Sequence, residues 1–152
     1  MTKQRTIVLF AFALMLGGGI SSSPPESADT FTVSVTGVRN GTGVVAVALF
    51  SEEAAGGFPQ AEPLRSTSAL ASTTGVELTF EDLPAGRYAL ALMHDENQNG
   101  DLDTNDYGIP VEGFAFSNNA MSDMGPPSFS QAAVVVDGAT STSVSMIYMG
   151  GS

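Results

Sequence analysis

The sequence predicts an all-β chain: an antiparallel sandwich of about seven strands with one long ordered loop. Three observations point there. Short segments rich in Val, Thr, Phe, Tyr and Ala recur along the chain, each is closed by Gly, Asn, Asp or Pro, and no segment carries the 3.6-residue period of an amphipathic helix. With the leader set aside, roughly 125 residues remain, enough for one hydrophobic core and too few for two.

The first strand is predicted where Phe31, Val33 and Val35 alternate with Thr32, Ser34 and Thr36. Asn40-Gly41 follows, a dipeptide that tolerates the positive φ angles of a tight hairpin, and Val44 to Phe50 runs back. A second hairpin is expected from Ser66 to Ser72 and Val76 to Phe80 around Thr74-Gly75. Arg87 to Met93 forms a strand after the turn Leu83-Pro84-Ala85-Gly86, and Ala132 to Val136 pairs with Ser143 to Met149 across Asp137-Gly138.

Two stretches break this rhythm, Glu53 to Pro63 and the longer His94 to Gln131. Excursions of that length inside a small domain are usually functional or disordered. Phe114, Phe116 and Phe129 give the second one apolar area to pack back on the body, so it is expected to be ordered and to cover one end or edge of the sandwich.

The N-terminal residues read as an address. Lys3 and Arg5 precede an apolar run from Ile7 to Leu16, then glycines and serines, which is the pattern of a secretory signal peptide over residues 1–23, with 24–29 a short linker and 30–150 the single β-domain. The run is about half the ~20 residues that span a bilayer, so no membrane span is expected after cleavage. The destination is periplasmic or secreted.

No cysteine is present, which removes disulfides, thiolate metal sites and cysteine nucleophiles together. The whole chain carries a formal net charge of −11. Beyond the leader, Arg39, Arg65 and Arg87 are the only basic residues, so nucleic acid and anionic membrane surfaces are poor partners.

The segment from Asp95 to Asp106 places oxygen-bearing side chains at alternate positions, with Gly100 where a calcium loop turns sharply. Asp95, Asn97, Asn99 and Asp103 are candidate side-chain ligands for Ca2+, and Asp101 offers its backbone carbonyl. Leu102 would anchor the loop to the core. Asp106 falls at the closing position but is one methylene shorter than the usual Glu, and Glu112 is the substitute. The same residue types also build metal-free turns, because short polar side chains bond their own backbone. Paired helices of the EF-hand kind do not flank the segment.

His94 is the only histidine. It reads either as a general base or metal ligand, or as a packed, hydrogen-bonded residue at a strand end. A lone His without Cys does not make a structural zinc site, and no Gly-x-Ser-x-Gly elbow occurs.

Several blocks of this chain resemble the bacterial family described as domain of unknown function 2141. They are Val38-Arg39-Asn40 with Gly43, Leu83-Pro84-x-Gly86-x-Tyr88-Ala89, His94 to Asn105, Gly108-Ile109-Pro110-x-Glu112-Gly113, Phe116 to Ala120, and Gly125-Pro126-Pro127-Ser128-Phe129. The resemblance implies an exported protein with an immunoglobulin-like or transthyretin-like sandwich, and it carries no catalytic residues. The Leu-Pro-x-Gly-x-Tyr piece is similar to the turn-and-strand element of carboxypeptidase regulatory-like domains, where it is architectural. Pro84 and Gly86 are expected to shape the turn and Tyr88 to tie its hydroxyl to backbone.

Three functions follow from these residues. One is an exported binding or accessory module, stiffened by calcium, in which Phe114, Phe116, Asn118, Asn119 and Phe129 meet a peptide, a glycan or an envelope protein; the alternative for these aromatics is core. Another is a structural envelope protein associating through sheet edges. The third is a metal-dependent hydrolase using His94 and nearby acids.

Overall fold

A computed structural model describes residues 29–150; the signal peptide and most of the linker expected before the domain lie outside the described residues. Eight strands form two sheets. The smaller sheet has the order β4 (Val76–Leu83), β1 (Asp29–Thr36), β8 (Thr140–Ser145). The larger runs β3 (Arg65–Leu70), β2 (Val44–Ser51), β5 (Gly86–Asp95), β6 (Gly113–Phe116). The free edge of β5 is shared: β6 pairs with Ala91 to His94, and β7 (Val134–Val136) with Gly86 to Tyr88. No helix among the described residues is long and apolar enough to cross a membrane.

Alternation decides the faces, as the sequence predicts. Phe31, Val33 and Val35 of β1 and Val76, Leu78 and Phe80 of β4 are buried between the sheets, while Thr32, Ser34, Glu77, Thr79 and Glu81 face outward. Opposite them lie Val45, Val47 and Leu49 of β2 and Tyr88, Leu90 and Leu92 of β5. Each fully buried Val, Leu or Phe side chain contributes about 1.5–3 kcal/mol.

The pairing differs from the expected hairpins. Asn40-Gly41, Thr74-Gly75 and Asp137-Gly138 each reverse the chain, but the strands they join belong to different sheets, as do those joined by Pro84-Ala85. Between β1 and β2 the positive φ angles fall at Gly37 and Gly43, both 72°, rather than at Gly41. A turn dipeptide licenses reversal without saying whether the strands pair or stack. Here stacking wins, because the apolar faces of successive strands then bury each other across the core. The long excursions do the opposite: 52–64 joins β2 to its neighbour β3, and 96–112 joins β5 to its neighbour β6.

Two further differences concern the strands themselves. β8 runs parallel to β1, Phe31 opposite Thr140 through Thr36 opposite Ser145, so the sandwich is not wholly antiparallel. Strand β6 is an eighth strand inside the excursion that begins at His94. Its four residues are too few to stand out as alternation.

A second apolar cluster lies outside the larger sheet. Phe58, from the 52–64 excursion, sits edge-on to Phe50, Phe116 and Phe129 with ring centroids 5.1, 5.9 and 6.0 Å away. Phe129 opens the short helix α1 (Phe129–Ala132), whose start is held by a capping box between Ser128 and Gln131. One end of the outer face of the larger sheet is thereby covered. The other end is open.

Candidate functional site

The Asp95–Asp106 segment begins where β5 leaves the sheet. Asp95 is buried, and its carboxylate accepts from the backbone N–H of Asn99 at 3.1 Å and of Gly100 at 2.8 Å, which curls the chain. Gly100 takes a φ of 87°, a conformation that suits glycine. The curl brings Asn97, Asn99 and Asp103 together: the two amides donate to the two oxygens of Asp103 at 2.5 and 2.8 Å. Asp101 is exposed, and its backbone N–H donates to Asn99.

Asp106 stays outside this group, exposed in the turn before Tyr107. The loop is closed instead by buried Glu112, whose carboxylate accepts from the backbone N–H of Glu96 at 2.8 Å and of Asp103 at 3.1 Å. Its extra methylene and its position next to β6 give it the reach that Asp106 lacks. Among the described residues no group of three or more His, Asp or Glu side chains is gathered around one point as a metal centre. The described loop satisfies itself through Asx turns.

The base of the loop is clamped to the β1–β2 connection. Arg39 donates to both carboxylate oxygens of Glu96, at 2.5 and 3.1 Å, and Asn40 donates to Glu96 at 2.6 Å. The bond from Arg39 holds the Glu96 carboxyl below its usual pKa, and Glu96 in turn raises that of Arg39. Gly43 makes this approach possible, since a Cβ there would lie 2.1 Å from the carbonyl oxygen of Asp95.

Beneath the clamp, the guanidinium of Arg39 lies 4.7 Å from the ring centroid of Tyr148, and burial pushes the Tyr148 hydroxyl up. His94 is fully buried, with Nε2 2.7 Å from the carbonyl oxygen of Thr42 and Nδ1 2.8 Å from that hydroxyl. Both ring nitrogens are used inside the fold, as in a structural histidine, and neither is available as a base or a ligand.

Above the loop, the uncovered half of the larger sheet forms an open hollow of about 480 Å³. Its floor follows from the register. Ser66, Ala48, Ala91 and Phe116 make one row across four strands, and Ser68, Ala46, Met93 and Phe114 the next. Phe50 and Pro59 bound one end, Gly100 and Leu102 the other. Leu102 therefore faces this hollow rather than the core.

A family model described as an uncharacterized protein conserved in bacteria, DUF2141, matches residues 33–144. The chain belongs to the DUF2141 family. No curated protein and no solved structure matches it.

The blocks that carry the DUF2141 resemblance prove to be bracing. The Tyr88 hydroxyl donates to the carbonyl of Pro84 at 2.6 Å, as the sequence predicts. Ser117 is buried between the hydroxyl bond it gives to Ala132 at 2.5 Å and the N–H of Leu90 it accepts at 2.9 Å. A Cβ on Gly113 would stand 2.4 Å from the Tyr148 ring.

Of the five contact residues expected from the sequence, Phe114 and Phe116 line the hollow and the other three do not. Phe129 is core. Asn118 and Asn119 are exposed in a turn with φ angles of 62° and 50°; Asn118 donates to the carbonyls of Gln131 and Ala133, and Asn119 accepts from the N–H of Ser145. Sequence reading missed Ala46, Ala48, Ala91 and Met93. The available signal was the alternation of Ala with Val and Leu along β2 and β5, where a strand buried on both faces would carry bulk on each.

Proposed function

We propose that this DUF2141 chain is an exported, non-catalytic binding or accessory module that takes an apolar group of its partner into the hollow on the outer face of the larger sheet. One observation carries the reading: a 480 Å³ open hollow with no charged side chain in its lining, in a chain of net charge −11. Apolar surface concentrated in a concave site and left to solvent is the usual mark of a ligand site. The lone histidine is committed within the fold and the hollow has no titratable lining residue, which supports a role in binding rather than chemistry.

Calcium held by the Asp95–Asp103 curl, with Glu112 at its base, is the stiffener in this reading. The alternate oxygens and the turn at Gly100 support it. The amides of Asn97 and Asn99, which donate to Asp103, would turn their oxygens toward the ion. Because Leu102 belongs to both the loop and the hollow, stiffening one fixes the wall of the other.

A screen of peptides, glycans and alkyl amphiphiles by NMR tests the site. A true partner shifts the methyl resonances of Ala46, Ala48, Ala91 and Met93, and Met93→Glu weakens it by at least about tenfold; silence from every class overturns the reading. Calcium is tested separately by melting: millimolar Ca2+ raises Tm, EDTA reverses the rise, and Asp103→Ala abolishes it. An unchanged melt removes the ion.

A further inference from the structure

We infer that the ligand group this hollow takes is a single unbranched alkyl chain with an uncharged end, presented by a monomeric amphiphile. The inference rests on the binding reading above and names its ligand class. The first ground is the lack of hydrogen-bonding partners in the floor. Strand β2 lies between β3 and β5, and β5 between β2 and β6, so the backbone groups under the hollow are spent in the ladder. The side-chain hydroxyls of the floor are confined to Ser66 and Ser68, both on the edge strand β3. An extended peptide laid there would bury N–H and C=O groups without partners, and a glycan would bury hydroxyls likewise. A chain of methylenes has no such groups.

Shape is the second ground. The two floor rows are successive outward pairs along the same strands, Ala48 with Ala91 and Ala46 with Met93, about 7 Å apart by strand geometry. The hollow is therefore a trough that follows the strands from Pro59 to Leu102, walled along one side by Phe114 and Phe116. Small side chains make the depth, and aromatic rings give a flexible chain a wall.

Charge is the third. Asp101 stands exposed between the two loop residues that close one end, with Asp103 next along, and the chain as a whole is strongly acidic. A carboxylate or phosphate end group meets like charge at that mouth, whereas an uncharged hydroxyl, amide or ester end does not.

The test is an NMR titration of the purified chain in calcium-free buffer, where the mouth keeps its negative charge, with 1-octanol, sodium octanoate and an acetylated apolar hexapeptide, in wild type and Ala46→Leu. Leucine at position 46 grows into open space, so this variant should keep its fold and its melting temperature. Octanol is expected to shift the Ala46, Ala48, Ala91 and Met93 methyls in wild type, to bind at least about tenfold tighter than octanoate, and to lose that binding in Ala46→Leu. Equal binding by octanoate, or binding unchanged in Ala46→Leu, overturns the inference. Should the hexapeptide shift those methyls and octanol not, the binding site stands while the ligand class falls; if neither does, the site falls too. A dimer in light scattering that Ala46→Leu dissolves would make a second copy the occupant, which also overturns it.

Discussion

The hydroxyl of Tyr148 donates to Nδ1 of His94, 2.8 Å away, because the other ring nitrogen must give its proton to the carbonyl of Thr42. The same hydroxyl accepts the N–H of Arg39 at 3.1 Å. One phenol thus satisfies a buried imidazole and ties the segment that follows β8 to the β1–β2 connection.

Tyr148→Phe removes that oxygen and leaves a buried ring nitrogen without a donor. Stability in urea is expected to fall by about 1–3 kcal/mol. A midpoint equal to wild type would show that the hydroxyl adds nothing.

Glu96 makes the clamp pH-dependent. Its folded pKa is lowered, principally by the bond from Arg39, so its contribution is full above the unfolded carboxyl range and is lost as pH falls through the folded value. In calcium-free buffer the stability gap between wild type and Glu96→Gln should be widest near neutrality and close below the ordinary Glu value of about 4.3. A gap that is constant with pH would assign the loss to packing instead.

Gly113→Ala drives a methyl into the Tyr148 ring, which a small rotation of the ring relieves only in part. A loss of about 1–3 kcal/mol is expected from such overpacking. Gly43→Ala should cost more. Its Cβ meets the backbone of Asp95 and Glu96, atoms that cannot swing aside, at a φ of 72° that alanine disfavours. Thermal melts of the pair rank the two.

Phe58→Ala takes the hub from the outer aromatic cluster and should destabilise by about 3–5 kcal/mol. Limited proteolysis should then cut the 52–64 excursion first, since Phe58 is what packs it against the sheet. Resistance equal to wild type would show that the excursion is held by other contacts.

Much of the fold was legible because alternation is a local property. Thr-Val-Ser-Val over residues 32–35 marks its faces without reference to any other segment, and Leu83-Pro84-Ala85-Gly86 with Tyr88 encodes both the turn and the bond that secures it. The curl at Asp95 was legible for the same reason, as its partners lie four and five residues along. Its closing residue was harder. Asp106 has the sequence position, but Glu112 has the place, because the chain between them turns at Gly108 and returns through the Thr104–Pro110 bridge.

The amino-acid order by itself determined which residues face inward, where the chain turns and that an oxygen-rich loop would form, since each depends on neighbours within a few bonds. The tertiary structure alone decided that successive strands stack rather than pair, that β8 lies parallel to β1, and that Ala46, Ala48 and Ala91 meet beside Phe114 and Phe116 in one trough. An alanine is merely small until strands distant in sequence set it next to others. The hollow is a sum of absences that only packing can bring together.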